Sequence, residues 1–159
     1  MVVAHETSSA FCSGAQEAMT STYIPVALAR TVRERARHSC EYCHLPQEFQ
    51  EAAFHLDHIV PRAEGGKTAS NNLALACVSC SLRKGDRRTA DDPSTVSKHP
   101  FFHPRTDVWS DHFAWGNDLR LIGLTPCGRA TVAALKMNSP RILATRQLLA
   151  NVGRFPPKT

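Results

Sequence analysis

Cys40-Glu41-Tyr42-Cys43-His44 opens the stretch on which the fold of this chain turns, and Asn72-Leu73-Ala74-Leu75-Ala76-Cys77-Val78-Ser79-Cys80 closes it. Between them lies Leu56-Asp57-His58-Ile59-Val60-Pro61-Arg62. Two Cys-x-x-Cys pairs supply four thiols, the number that closes a tetrahedral structural zinc site. Bound to one ion, Cys40, Cys43, Cys77 and Cys80 pin residues 44–76 into a single loop that holds an acid beside a histidine. A redox-active pair would open a helix after a strand, whereas Cys40 follows a helical pattern. Residues 1–18 lack the basic start and continuous apolar run of a secretory signal. A cytoplasmic setting is therefore expected, where paired Cys-x-x-Cys motifs bind metal rather than form disulfides. Cys12 and Cys127 fall outside the pattern and are expected to be free thiols.

Outward from this centre, composition narrows the possibilities. A chain of 159 residues fits about one domain, and a metal clamp is expected to stabilise its middle more than a deep core does. Nothing approaches the apolar length needed to cross a bilayer. Lys and Arg number 19 against 14 Asp and Glu, an excess that favours a polyanionic partner. Four of these cations, Arg83, Lys84, Arg87 and Arg88, follow the second cysteine pair within six residues. Part of that cluster can balance the thiolates of the metal centre.

The flanks read as an α+β chain. Residues 1–18 are small, polar and aperiodic, which predicts a disordered tail, and Met19 is a candidate start. Pro25 to Arg37 predicts a helix, with Leu28, Val32 and Ala36 as a narrow apolar stripe. Phe54–Val60 alternates as a strand, Gly65-Gly66 turns, Leu73–Ala76 makes a second strand, and Val78 to about Arg87 forms a helix. Residues 19–90 thus form the central unit and 91–159 an extension packing on it. Within the extension Asp91 to Lys98 reads as a linker. Trp109–Trp115 and Leu119–Leu124 read as a hairpin. Thr125 caps a helix that starts at Pro126 and runs to about Met137. A last helix spans Pro140 to Val152, with Ile142, Leu143, Leu148 and Leu149 as its apolar contacts.

Taken together, Cys40-x-x-Cys43, Asp57-His58-Ile59-Val60-Pro61-Arg62, Gly65-Gly66, Asn72-Leu73-x-Leu75-Ala76-Cys77-x-x-Cys80 and Lys84-Gly85-Asp86-Arg87 resemble the HNH endonucleases in their zinc-ribbon form. Trp109-Ser110-Asp111-His112-Phe113 and Gly123-Leu124-Thr125-Pro126-x-Gly128-Arg129 resemble the tail of a bacterial subgroup. The resemblance implies a small ββα-metal core beside a four-cysteine zinc ribbon. It implies hydrolysis of DNA phosphodiester bonds with one divalent ion, magnesium or manganese. His58 matches the general base, Asp57 a ligand of that ion, and Asn72 the residue that orients loop and base. The third family position, usually His or Asn, is Ser81, a poorer ligand. Ser81 thus stands as a candidate second ligand and as the reason to weigh an alternative, a zinc-ribbon DNA-binding protein with a degenerate nuclease site. Arg62, Arg83, Lys84 and Arg87 are the candidate contacts to DNA phosphates.

Overall fold

The computed structural model describes residues 23–157. The expected N-terminal tail, the candidate start at Met19, and Cys12 lie outside them. The described chain is a mixed α/β structure with three separate two-stranded antiparallel sheets. None of its helices is long and apolar enough to cross a membrane.

Helix α1 covers Val26–Arg35, one residue later than expected because Pro25, at φ −55° and ψ 141°, is its cap rather than its first residue. It buries Ala29 and Val32, while Leu28 and Ala36 pack at the margin of the core. Strands β1 (His55–His58) and β2 (Leu73–Ala76) pair antiparallel, with His58 opposite Leu73 and His55 opposite Ala76. All four residues of β2 are buried, as an apolar Leu-Ala-Leu-Ala run covered on both faces requires. Helix α2 (Val78–Lys84) follows directly. It stops at Gly85, short of the expected Arg87, because Gly85 leaves helical geometry at φ 51° and ψ −135°.

Residues 91–98 are not a linker. Strand β3 (Thr89–Asp91) pairs antiparallel with β4 (Lys98–Pro100). Asp92 makes the turn between them. Its carboxylate accepts from Ser94 N and Thr95 Oγ1, and Arg129 grips it with two hydrogen bonds of 2.9 and 2.7 Å. Asp-Asp-Pro reads as a breaker in sequence because the partner that stabilises this turn lies 37 residues away.

The rest of the chain keeps the expected hairpin but starts it with a short helix, α3 (Trp109–His112), before β5 (Phe113–Trp115) and β6 (Leu121–Gly123) pair. Helix α4 (Pro126–Ala134) begins with Thr125 accepting from Gly128 N through its side chain. It packs on β6 and on the β3–β4 hairpin. A Cβ on Gly128 would sit 2.2 Å from His112 O, so only glycine lets α4 approach α3 this closely.

Helix α5 (Pro140–Asn151) corrects the expected apolar face. Ile142 and Leu149 are buried, but Leu148 is exposed and Arg146 is fully buried. The Arg146 guanidinium lies 4.9 Å from the Trp115 ring centroid and 5.7 Å from that of Phe155. It also donates to Leu119 O and Asn138 Oδ1. One hydrophobic cluster runs from Val32 and the four cysteines through Phe102 and Phe113 to Leu149 and Phe155.

Candidate active site

Four sulfur atoms organise the centre. Cys40 and Cys43 sit in a tight knuckle closed by His44 N donating to Cys40 O and Cys40 N donating to Leu45 O. Cys77 caps α2, its sulfur accepting from Cys80 N at 3.4 Å. The four ligand atoms all lie within 4.8 Å of one another, and all four residues are buried. Zinc–sulfur bonds of about 2.3 Å in a tetrahedron set sulfurs about 3.8 Å apart. Cys43 Sγ and Cys77 Sγ are 3.8 Å apart, a separation that fits zinc and is far too long for a disulfide. Hydrogen bonds from the other three cysteines push the Cys77 thiol far below its ordinary value, burial opposing. The cluster thus already favours a thiolate. Cys127, half-buried in α4, is a free thiol.

Asp57 and His58 occupy the last two positions of β1. His58 Nε2 is 2.9 Å from Thr68 Oγ1, on the far side of the loop. Burial and then the neighbouring Arg62 push the His58 imidazole below its ordinary pKa. Asp57 is pushed the other way, above the usual carboxylate range, chiefly by burial and against the pull of Lys84. Lys84 Nζ lies 3.2 Å from Asp57 Oδ2. Its hydrogen bonds, however, go to His58 O at 2.8 Å and Gly85 O at 3.3 Å. Asp57 Oδ2 is therefore buried and ion-paired to a lysine whose own hydrogen bonds are directed mainly at backbone carbonyls.

Asn72 does not touch the imidazole. Its Oδ1 accepts from Val60 N at 2.9 Å, and its Nδ2 donates to Val60 O and Lys67 O at 3.0 Å each. Its own carbonyl accepts from Ile59 N. One buried amide thus ties together the chain leaving β1 after His58 and the segment leading to Thr68.

The remaining candidates divide. Arg62 is half-buried in the turn Arg62–Glu64. Arg83 donates to Ser79 within α2, and Arg87 donates to Arg83 O while its guanidinium lies 5.6 Å from the Phe101 ring centroid. Lys84 corrects the expectation of a phosphate contact. It is 2% exposed and faces Asp57 rather than solvent. Ser81 is engaged elsewhere as well, its Oγ 3.0 Å from His55 Nδ1. His112 pairs with Thr125 Oγ1 and packs on Phe102, a structural role.

Three participants escaped sequence reasoning. Thr68 carries no motif and comes to His58 only through the loop's path. His55 shares its strand face with Asp57 by alternation, a signal that was available. Glu41, between the first two cysteines, ion-pairs with Arg105 and Arg35 and accepts from Leu75 N. Burial and the nearby Arg35 bring Arg105 down to about 10.

Residues 40–87 match the family model described as HNH endonuclease. No curated protein and no solved structure matches the chain.

Proposed function

We propose that the protein is a metal-dependent endonuclease hydrolysing DNA phosphodiester bonds, because residues 40–87 match the HNH endonuclease family model and the four-cysteine cluster fits its zinc-ribbon form. One observation carries the proposal. An imidazole oriented by a hydroxyl follows a carboxylate whose buried oxygen is ion-paired to Lys84, in a loop tied at both ends by a four-sulfur cluster. The order β1, β2, α2 supports the reading of a ββα-metal core.

His58 is the general base. With Thr68 Oγ1 accepting the Nε2 proton, Nδ1 keeps its lone pair and takes a proton from the attacking water. A lowered pKa keeps the ring neutral, and so able to accept that proton, at neutral pH. Asp57 is the carboxylate of the chain that would hold the divalent ion, in competition with Lys84, whose Nζ lies 3.2 Å from its Oδ2. Magnesium or manganese bound there supplies positive charge to the scissile phosphate, and magnesium tolerates a shell made mostly of water and phosphate oxygens. Lys84 steers Asp57 and the His58 carbonyl, and Asn72 holds the loop in place. Arg62, Arg83 and Arg87 are the phosphate contacts. The cytoplasmic setting, with DNA as partner, remains part of this reading.

Plasmid nicking with added magnesium or manganese tests it. Wild type should nick. His58→Ala should lose at least about 100-fold, the lower end of general-base contributions, with zinc content unchanged. Full activity in His58→Ala would remove the imidazole from the mechanism. A specific observation favours the alternative of a DNA-binding module with a degenerate site. Lys84 already neutralises Asp57, and Ser81 is engaged by His55. Salt-sensitive binding without metal-dependent nicking would establish that reading instead.

A further inference from the structure

A cleft of about 250 Å³ opens beside the site, and the nuclease chemistry proposed above uses Lys84 and Arg87 from its lining but not its interior. Ile59 and Val60, the two residues after His58, form one wall, and Lys84 is shared with Asp57. The opposite wall comes from the C-terminal extension, with Phe101, Phe102 and Thr106. Arg87 and Arg88 also line it, the Arg87 guanidinium lying over the Phe101 ring. Tyr42, also among its lining residues, is fully buried. Its hydroxyl has no hydrogen-bond partner among the described residues.

These features ask for one kind of occupant. The walls are apolar and aromatic, suited to the face of a flat ring. The cations at its edge suit a ligand that trails phosphates. Asp107 adds a carboxylate to the lining, and its Oδ2 accepts from His103 N. It excludes a free phosphate as the occupant of the interior but can accept from an exocyclic amine. The volume is that of a base with part of its sugar.

We infer that this cleft is a nucleobase subsite, which takes one unstacked base of the substrate strand while the adjoining phosphate lies at His58. The inference rests on the nuclease reading for its placement, but base binding can be measured without cleavage. Taking a base out of the stack is easiest in single-stranded or mispaired DNA. The subsite therefore makes such strands the preferred substrates.

The test uses the full chain, its zinc retained, in buffer without added magnesium or manganese. Short single strands carry 2-aminopurine at one central position, or an abasic residue at the same place. Wild type should bind the base-bearing strand at least about 5-fold more tightly than the abasic one, the low end of what stacking one base contributes, and change the fluorescence of 2-aminopurine on binding. Thr106→Trp, a change at an exposed position on the cleft wall, should abolish that preference. Equal affinity of wild type for the two strands would overturn the subsite, as would a Thr106→Trp variant that keeps the full preference. If base preference holds while plasmid nicking fails, the nuclease reading falls and the subsite stands. If nicking proceeds without base preference, the subsite falls and the nuclease reading stands.

Discussion

Replacing Asn72 by alanine removes three hydrogen bonds from a residue only 9% exposed. Each such bond contributes about 1 kcal/mol net, and a buried donor or acceptor left unmade costs about 1–3 kcal/mol. Val60 N and Lys67 O are the groups at stake, and the cavity left by the amide admits little water. A loss of about 3 kcal/mol is expected, read from urea unfolding followed through Trp109 and Trp115. The slope of the transition should stay constant, so that the change lies in its midpoint. Asn72→Asp separates hydrogen bonding from volume. It keeps the acceptor for Val60 N, loses both donor bonds, and sets a carboxylate against two carbonyls, so at neutral pH it should be at least as damaging as alanine. Zinc content should be retained in both, because the sulfur cluster does not depend on this amide. Nicking should fall at least about 10-fold through kcat rather than KM, because Thr68 follows Lys67 directly and loses its fixed distance to His58. Gly66 adds an independent check. A Cβ there would lie 1.9 Å from Val60 O and 2.9 Å from Asn72 Nδ2, so Gly66→Ala should injure the same clamp from the other side. If Asn72→Ala unfolds within about 0.5 kcal/mol of wild type, the range of an ordinary surface substitution, the role of this amide in holding the loop is refuted.

Zinc removal should be more drastic. Structural zinc binding in small domains corresponds to about 10–16 kcal/mol of apparent free energy, so a strong chelator should unfold residues 40–80 and shift the tryptophan emission, and unchanged emission would refute the clamp. A milder effect is expected at Asp92, whose carboxyl is held well below its ordinary value, first by the Arg129 hydrogen bonds. A depressed carboxyl stabilises the fold above its unfolded pKa of about 3.9 and loses that contribution as pH falls toward the folded value. The stability gap between wild type and Asp92→Asn should therefore be flat above about pH 5 and narrow below about pH 4. A gap that widens in acid would invert the assignment.

The strands and the sulfur cluster were legible because local rules specify them. Alternation places β1, a closed apolar run places β2, and the cysteine spacing fixes the knuckles. The helix start at Thr125 was readable for the same reason, since a cap acts on its own neighbours, whereas the expected end of α2, Arg87, lies two residues beyond the true one at Gly85. What stayed hidden depends on partners remote in sequence. Lys84 reads as one of four basic residues in a cationic run. Only the packing of α2 against β1 turns it inward to Asp57, and only that packing separates it from Arg83 and Arg87. Asp92 reads as a breaker until Arg129 is brought beside it. Thr68 has no local signature at all, since its meaning is its distance to His58.

Arg146 shows how far such remote coupling extends. A buried cation is costly unless it is compensated, yet its Nε and Nη2 have no hydrogen-bond partner among the described residues. Two carbonyl-type acceptors and two ring faces satisfy the remainder. Burial lowers its pKa, and the sulfurs of Cys43, Cys80, Cys77 and Cys40 act in the opposite direction. Four thiolates around one zinc ion leave a net charge of −2, so the guanidinium of α5 faces an anion that only the metal-bound centre fully presents. The ring series leads back the same way: Phe155 meets Trp115, Trp115 meets Trp109, and Trp109 stacks on His44 at 4.2 Å while donating to Tyr42 O. His44 and Tyr42 belong to the first knuckle. The last helix is therefore tied to the knuckle by packing, and the charge of a metal-bound centre would add to that hold. Loss of zinc should release α5 together with the ribbon in one transition rather than two.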